Sequence, residues 1–404
     1  MEKTILLVGG AELPAVREAV QRRGYKIVAV NFPEAIERLE ADPSIVHAEG
    51  LDFGKSMQSV HRIVELHKKY QFETIVPISE FGLLTAAIAS RQLGMPFTPF
   101  ETVMNTRDKL RMRRVLEAKG LTQVRFRSCT TVDEVQAFLE EVGGPIIVKP
   151  LMGTASDGVS RVDRPDQVEA ALRVSNESRS FSAAICEEYI DGPEVSVEAY
   201  LIDGQFIPVA ITDKLTNERF LEMGHSQPTR FSPAIQQQIF DATRDVVVAL
   251  GITRGVTHTE MRITPRGPRL IETHTRMGGD FIHVLTRTST GVDLTDLLVA
   301  CALGEVPTAR PTDTGAAAAI RFVTGPAGIV ADLDLPELAG GLVEVRAYVK
   351  PGDETTGYSS SLDRFGHVIA TGATRAEADQ RADEAIARFR VTLDVIPETQ
   401  AIAV

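Results

Sequence analysis

The sequence predicts an α/β domain at the N-terminus, a larger mixed region in the middle and a small α+β domain at the end. Three observations predict this. Over the first hundred residues, short apolar runs alternate with helical stretches, the order that builds a parallel sheet with helices on its faces. Residues 257–280 read as two alternating runs around a Pro-Arg-Gly-Pro turn, a β-hairpin with a loop of several residues. Beyond residue 314, several short strand-like runs precede one last helix.

Residues 5–8 form an apolar strand that Gly9-Gly10 stops. A helix over 14–23 is closed by Gly24, and a strand over 27–30 follows. A helix over 56–70 leads to a strand over 74–77. A dinucleotide site after the first strand is disfavoured, because Gly9-Gly10-Ala11-Glu12-Leu13-Pro14 lacks the third glycine of G-x-G-x-x-G. Ser79 and Glu80 fall at the carboxyl edge of the sheet, where ligands of open α/β folds bind. The simpler reading makes Ser79 a helix cap and Glu80 a first-turn acid. Two prolines within 95–99 mark a boundary. A basic helix then runs from Asn105 to about Lys119. On it, Lys109 reads as a phosphate ligand or, more simply, as a solvated charge.

Residues 145–150 deliver Lys149 at the end of a buried strand. Residues 151–158 follow as Leu-Met-Gly-Thr-Ala-Ser-Asp-Gly, with Gly153 and Gly158 bracketing Ser156. That composition suits a mobile loop whose N–H groups cover phosphates. It is not a P-loop, since the lysine precedes the glycines. An apolar strand over 184–190 ends Cys186-Glu187-Glu188-Tyr189-Ile190, and Glu194 opens another after the Asp191-Gly192-Pro193 turn. A planar base needs backbone partners from a connecting strand, and a ribose needs a carboxylate. This segment supplies both, although an ordinary hairpin reads the same way. A strand over 205–212 ends at Asp213-Lys214, and a short loop carries Glu222 and His225. These two could bind a substrate amine or carboxylate, or pair with each other. A helix over 233–250 leads to the central hairpin, and a helical stretch over 293–303 follows it. After a linker over 307–314 come strands over 317–323, 342–349 and 367–371 and a helix over 375–389. This last domain shows no obvious chemistry of its own.

A chain of 404 residues implies two or three domains. A formal net charge of -12 argues against a general nucleic-acid-binding surface but leaves room for a local anion pocket. The cysteines, Cys129, Cys186 and Cys301, are odd in number and widely spaced, which fits a reducing compartment and gives no zinc spacing. Neither a signal peptide nor a membrane span is expected, so the reading is cytoplasmic.

The hairpin holds the densest chemistry. Alternation puts His258, Glu260 and Arg262 on one face of its first strand, and Leu270, Glu272 and His274 on one face of its second. Paired strands bring Glu260 and Glu272 close enough to share a cation. Arg276 follows, then Gly278 and Gly279, where a backbone can approach a ligand closely. Carboxylates for a hard metal beside a guanidinium suit a nucleotide-phosphate site. A solvated hairpin whose charges face water is the alternative.

With these segments in order, the chain resembles the ATP-grasp superfamily, and most of all the bacterial L-amino-acid ligases that make dipeptides. The resemblance rests on Ile147-Val148-Lys149-Pro150, the glycine loop, Glu187 to Glu194, Glu260, and Glu272-Thr273-His274-Thr275-Arg276-Met277-Gly278-Gly279. It implies an ATP-grasp fold of mixed α/β and α+β class. The N-terminal parallel-sheet domain would span 1–104, the ATP-grasp domain 105–310 with a lid over about 120–188, and the C-terminal α+β domain 311–404. It implies that Lys109 and Lys149 hold ATP phosphates under the 153–158 lid loop. Glu187 and the backbone of Glu188 and Ile190 would bind adenine, and Glu194 the ribose. Glu260 and Glu272 would hold Mg2+, with Mn2+ as the substitute. Arg276 would hold the transferred phosphate. Lys214 would face phosphate, and Glu222, His225, Gly278, Gly279 and Asp280 would line the amino-acid pocket. Many relatives carry asparagine where this chain has His274. Imidazole suits magnesium poorly, so His274 is expected to serve substrate instead. The implied activity joins a carboxylate to an amine through an acyl phosphate, with His225 the only base suggested by residue type. An ATP-grasp carboxylase and a non-catalytic ATP-binding regulator are the competing readings. Small-molecule substrates and a homodimer are expected. An acid such as Asp280 near the pocket suggests a basic amino acid.

Overall fold

The computed structural model describes residues 3–394, except Phe97, Gln123, 179–182 and Ser359. The 95–99 boundary therefore lies partly outside the described residues. Four parallel strands form the N-terminal sheet, in the order Ile45–Gly50, Lys26–Asn31, Thr4–Val8, Ile75–Pro77. Thr4–Val8 is buried along its whole length because helices cover both faces of the sheet. The edge strand Ile45–Gly50 escapes the sequence reading, since His47 and Glu49 interrupt its apolar pattern. Ser79 and Glu80 open the helix Glu80–Leu93. A Cβ added on Gly9 would lie 2.3 Å from Ser79 Oγ, so the end of the first strand and the start of this helix approach closely.

The basic helix expected from Asn105 is two helices, Phe100–Arg107 and Lys109–Ala118. Asp108 separates them and caps the second by accepting from the Arg111 N–H at 3.0 Å. This break places Lys109 at a helix start facing inward. The lid is an antiparallel sheet in the order Phe126–Cys129, Ala184–Glu188, Ile146–Pro150, Ser160–Val162. Two helices, Val132–Val142 and Val168–Asn176, cover one face around Phe138 and Val148.

The largest sheet has eight strands. It begins with the hairpin, Gly267–His274 beside Gly255–Thr264, and continues through Glu194–Ile202, Gln205–Thr216 and Glu222–Gln227. It ends with three strands from the C-terminal region, Ala317–Val323, Gly366–Gly372 and Leu342–Ala347. The C-terminal region is thus sheet-continuous with the middle of the chain. Three sequence expectations are corrected here. Asp213 and Lys214 lie inside a strand rather than at its end. Glu222 and His225 lie on a strand rather than a loop. The hairpin turn is a tight one at Pro265-Arg266, and Gly267 begins the return strand with φ +96°.

Candidate active site

A cleft of about 540 Å³ opens between the N-terminal sheet, the lid and the large sheet. That volume suits a small-molecule site. The cleft gathers nearly every residue named from the sequence. Lys109, Lys149, Gly153, Ser156, Glu187, Glu188, Ile190, Glu194 and Lys214 line it, with Glu222, His225, Glu260, Glu272, Arg276, Gly278, Gly279 and Asp280. Gly158 and His274 do not. Gly158 packs at the base of the loop, where an added Cβ would meet Ser178 and Pro150.

Glu260 and Glu272 are direct cross-strand partners, as are His258 and His274. A β-bulge at Ile271 follows, so Met261 faces Leu270. Leu270 therefore turns into the core with Met261, while Ile271 and Glu272 face the cleft. Strict alternation had placed Leu270 and Glu272 on one face, and one inserted residue undoes that. Lysines neutralise the two carboxylates. Lys109 Nζ is 3.1 Å from Glu272 Oε2, and Lys214 Nζ is 3.0 Å from Glu260 Oε2. Lys109 is thus buried, not a solvated helix charge. Lys214 also reaches Glu194 at 2.9 Å and Glu222 at 3.3 Å. Burial disfavours its charge, yet Glu194, Glu260 and Glu222 raise its pKa well above the ordinary lysine value. Burial likewise pushes Glu272 up, and Lys109, His274 and Lys149 outweigh it, holding Glu272 well below the usual carboxylate range. His274 stands behind Glu272. Its Nδ1 is 3.0 Å from Glu80 and its Nε2 is 3.1 Å from Glu272. It contacts this carboxylate and is not among the residues that line the cleft, where a substrate contact was expected.

Lys149 is buried, 2.8 Å from Glu187 Oε2. Arg113 holds the same carboxylate with Nε at 2.7 Å and Nη2 at 3.2 Å. Its Nη2 also donates to the carbonyls of Leu270 and Ile271, at 3.0 and 3.1 Å. Arg113 thereby ties the lid strand to the hairpin at its bulge, a link the sequence did not reveal. Burial raises the Glu187 pKa, and Arg113 and Lys149 overcome that, drawing it down to about 2. A depressed carboxylate pKa contributes stability above its unfolded value of 4.5 that is lost as pH falls through about 2. The melting-temperature gap between the native protein and Glu187→Gln is therefore expected to close as pH drops across that window. A gap that stays constant from pH 6 downward would contradict this assignment.

The loop over 153–158 is held at three points. Gly153 accepts from Lys109 Nζ at 3.1 Å, Ser156 Oγ donates to the Phe220 carbonyl at 3.0 Å, and Ala155 accepts from the Ser361 N–H at 3.4 Å. Ala155 and Ser156 both have φ near +60°, unusual outside glycine, so these contacts hold a conformation the chain resists.

At the other end, Arg276 Nε donates to Glu80 Oε2 at 2.9 Å. Glu80 also meets Arg107 at 3.0 Å, and these cations with His274 keep it ionised despite burial. Glu80 is thus both a first-turn acid and a cleft residue. His225 and Glu222 do not pair with each other. His225 Nε2 lies 3.1 Å from Asp280 Oδ2, and Glu222 meets Lys214. Asp280 is gripped by Arg364, at 2.6 and 2.9 Å to its two oxygens. Arg364 comes from the C-terminal region, which was expected to carry no chemistry. Only its position in three dimensions identifies it.

Two family models match this chain. An ATP-grasp domain covers residues 142–284, and the L-amino acid ligase C-terminal domain 2 covers 321–394. The chain carries an ATP-grasp domain and an L-amino acid ligase C-terminal domain. Its fold agrees with the crystal structure of L-amino acid ligase from Bacillus licheniformis, at a TM-score of 0.85 and 23% identity over 97% of this chain and 99% of that one. An uncharacterised protein of Sinorhizobium fredii is 26% identical over 88% of this chain and 79% of its own length. The alanine–anticapsin ligase of Bacillus subtilis is 27% identical over 59% of this chain. That match spans 56% of the ligase, so this ATP-grasp protein aligns with little more than half of it. No helix among the described residues of the ATP-grasp chain is long and apolar enough to cross a membrane.

Proposed function

We propose that this ATP-grasp protein is an ATP-dependent ligase that joins the carboxylate of one amino acid to the amine of another, releasing ADP and phosphate. The observation that carries the reading is one cleft in which the cross-strand pair Glu260 and Glu272, Lys109, Lys149 and Arg276 converge beneath a glycine loop. The amino-acid-ligase domain that follows favours an amine over bicarbonate as the second substrate.

A carboxylate is a poor acyl donor because its leaving group would be oxide. Transfer of a γ-phosphoryl group to it gives an acyl phosphate, which an amine attacks to form the amide and free phosphate. Phosphoryl transfer chiefly demands positioning and charge neutralisation. Lys109 and Lys149 supply positive charge from two sides of the cleft. Arg276 offers a planar guanidinium at the junction between the hairpin and the N-terminal domain, where the reacting groups would meet. The loop over 153–158 covers the cleft and would keep water from the acyl phosphate. The 184–194 segment, with Glu194 near Arg262 and Lys214, is the adenosine end.

Glu260 and Glu272 fit a hard divalent cation, because every donor atom they offer is a carboxylate oxygen. No group of three or more protein ligands gathers among the described residues, so phosphate and water would complete the shell, as magnesium prefers. Magnesium bound there, or manganese in its place, would neutralise phosphate charge. His258 and His274, each beside one of these carboxylates, would orient them.

Incubation with ATP, magnesium and all pairs of the twenty amino acids, read by phosphate release and product mass, tests the reading. ADP formation that requires an amine and yields a dipeptide supports it. ADP formation that requires bicarbonate instead selects a carboxylase, and ATP binding without turnover across the panel selects a regulator.

A further inference from the structure

We propose that the ligase cleft selects an amino acid with an uncharged, apolar side chain, and that Arg364 enforces this by neutralising Asp280. The inference rests on the ligase reading and names the substrate class of the same site. Apolar side chains from two domains line part of the cleft. Leu13, Ile78 and Phe81 come from the N-terminal domain, and Met277, Phe281 and Ile282 from the segment after the hairpin. Ile78 and Met277 belong to one packed core cluster, with Leu13 against it, and Phe281 packs against a second cluster around Ile320 and Phe322. Burying an apolar substrate side chain there removes it from water at about 25 cal/mol per Å².

The carboxylates that line the same cleft do not offer a free negative charge. Glu80 is held by Arg107 and Arg276, and Glu222 by Lys214. Asp280 lines the cleft and would attract a lysine or arginine side chain, as its residue type first suggested. Its two oxygens are instead taken by the Arg364 fork, with His225 as a second partner. Arg364 is itself fixed. Its guanidinium stacks 3.5 Å from the centre of the Phe322 ring, and it donates to the Glu222 carbonyl at 3.0 Å and to Ser361 Oγ at 3.3 Å. Asp280 has φ +53°, so a strained backbone depends on the same grip. A cationic side chain entering here would have to compete with a bound arginine, and an anionic one would meet Asp280 and Glu222 beside cations, Arg364 and Lys214, that are already paired. Arg364 is therefore a specificity-determining residue that acts through Asp280 and does not itself line the cleft.

The test measures kcat/KM for ADP release with each amino acid paired with alanine. The native protein is expected to favour leucine, methionine or phenylalanine over lysine, arginine, aspartate and glutamate by about tenfold or more. Arg364→Gln uncovers Asp280 and should raise lysine and arginine relative to leucine by about tenfold, while Arg364→Lys keeps the native order. Phe81 is 46% exposed, so Phe81→Glu should fold even if Arg364→Gln does not. It should shift preference toward basic residues in the same way. A native preference for charged amino acids overturns the inference and leaves the ligase reading standing. An unchanged order in folded Arg364→Gln and in Phe81→Glu also overturns it. If no amino acid supports ADP release, the ligase reading itself fails and takes this inference with it.

Discussion

Replacing Glu272 with alanine is expected to lower amine-dependent ADP release by about 10³-fold, or roughly 4 kcal/mol of transition-state stabilisation. The carboxylate sits between Lys109 at 3.1 Å and His274 at 3.1 Å, and opposite Glu260 on the neighbouring strand. Removing it does three things at once. It would halve the protein's contribution to the proposed divalent-cation site, it leaves Lys109 without its carboxylate partner, and it leaves the His274 imidazole held by Glu80 alone. Glu272→Gln separates charge from shape, because it keeps the side-chain volume but loses the negative charge. Both variants should lose turnover and weaken magnesium-dependent ATP binding, as read by single-turnover kinetics and by titration with and without magnesium. Near-native turnover in a variant whose melting temperature is unchanged would remove Glu272 from the site.

The hairpin was the most legible part of this chain because its information is local. Alternation over 255–264 and 267–274 fixed which faces carry Glu260, Glu272 and the two histidines, and the pairing His258 with His274 follows from the same register. The bulge at Ile271 was not legible, since one extra residue leaves no compositional mark. Burial of Lys109 was misread for a related reason. Asn105 to Lys119 looks like one basic helix, and only the cap at Asp108 divides it and turns Lys109 inward. Arg113 and Arg364 were missed entirely. Arg113 meets partners 74 to 158 residues away, and Arg364 meets Asp280 and Glu222 from 84 and 142 residues away, and no spacing rule reaches that far. Arg364 also shows why the C-terminal region looked inert. Its chemistry consists of holding Asp280 and Glu222, and those residues belong to the middle of the sequence.

Arg276→Ala is expected to lower kcat by about 10² to 10³-fold while ATP affinity changes little. The distinction follows from placement. Lys109 and Lys149 approach the cleft from the helix start and the lid strand, whereas Arg276 lies past the hairpin, against Glu80 of the N-terminal domain. A guanidinium there would meet the phosphoryl group only as it moves to the acceptor carboxylate, so its contribution would grow as charge develops in transfer. Folding should survive, because Glu80 keeps Arg107 at 3.0 Å and His274 at 3.0 Å when Arg276 is gone. Arg276→Lys should recover only part of the rate, since an ammonium supplies charge without the planar fork that Glu80 and a phosphoryl oxygen can share. Steady-state kinetics in ATP and in each amino acid, with nucleotide binding measured separately, resolve the two contributions. An equal loss in ATP binding and in kcat/KM, with kcat unchanged, would place Arg276 at the bound nucleotide instead of the transferring phosphate.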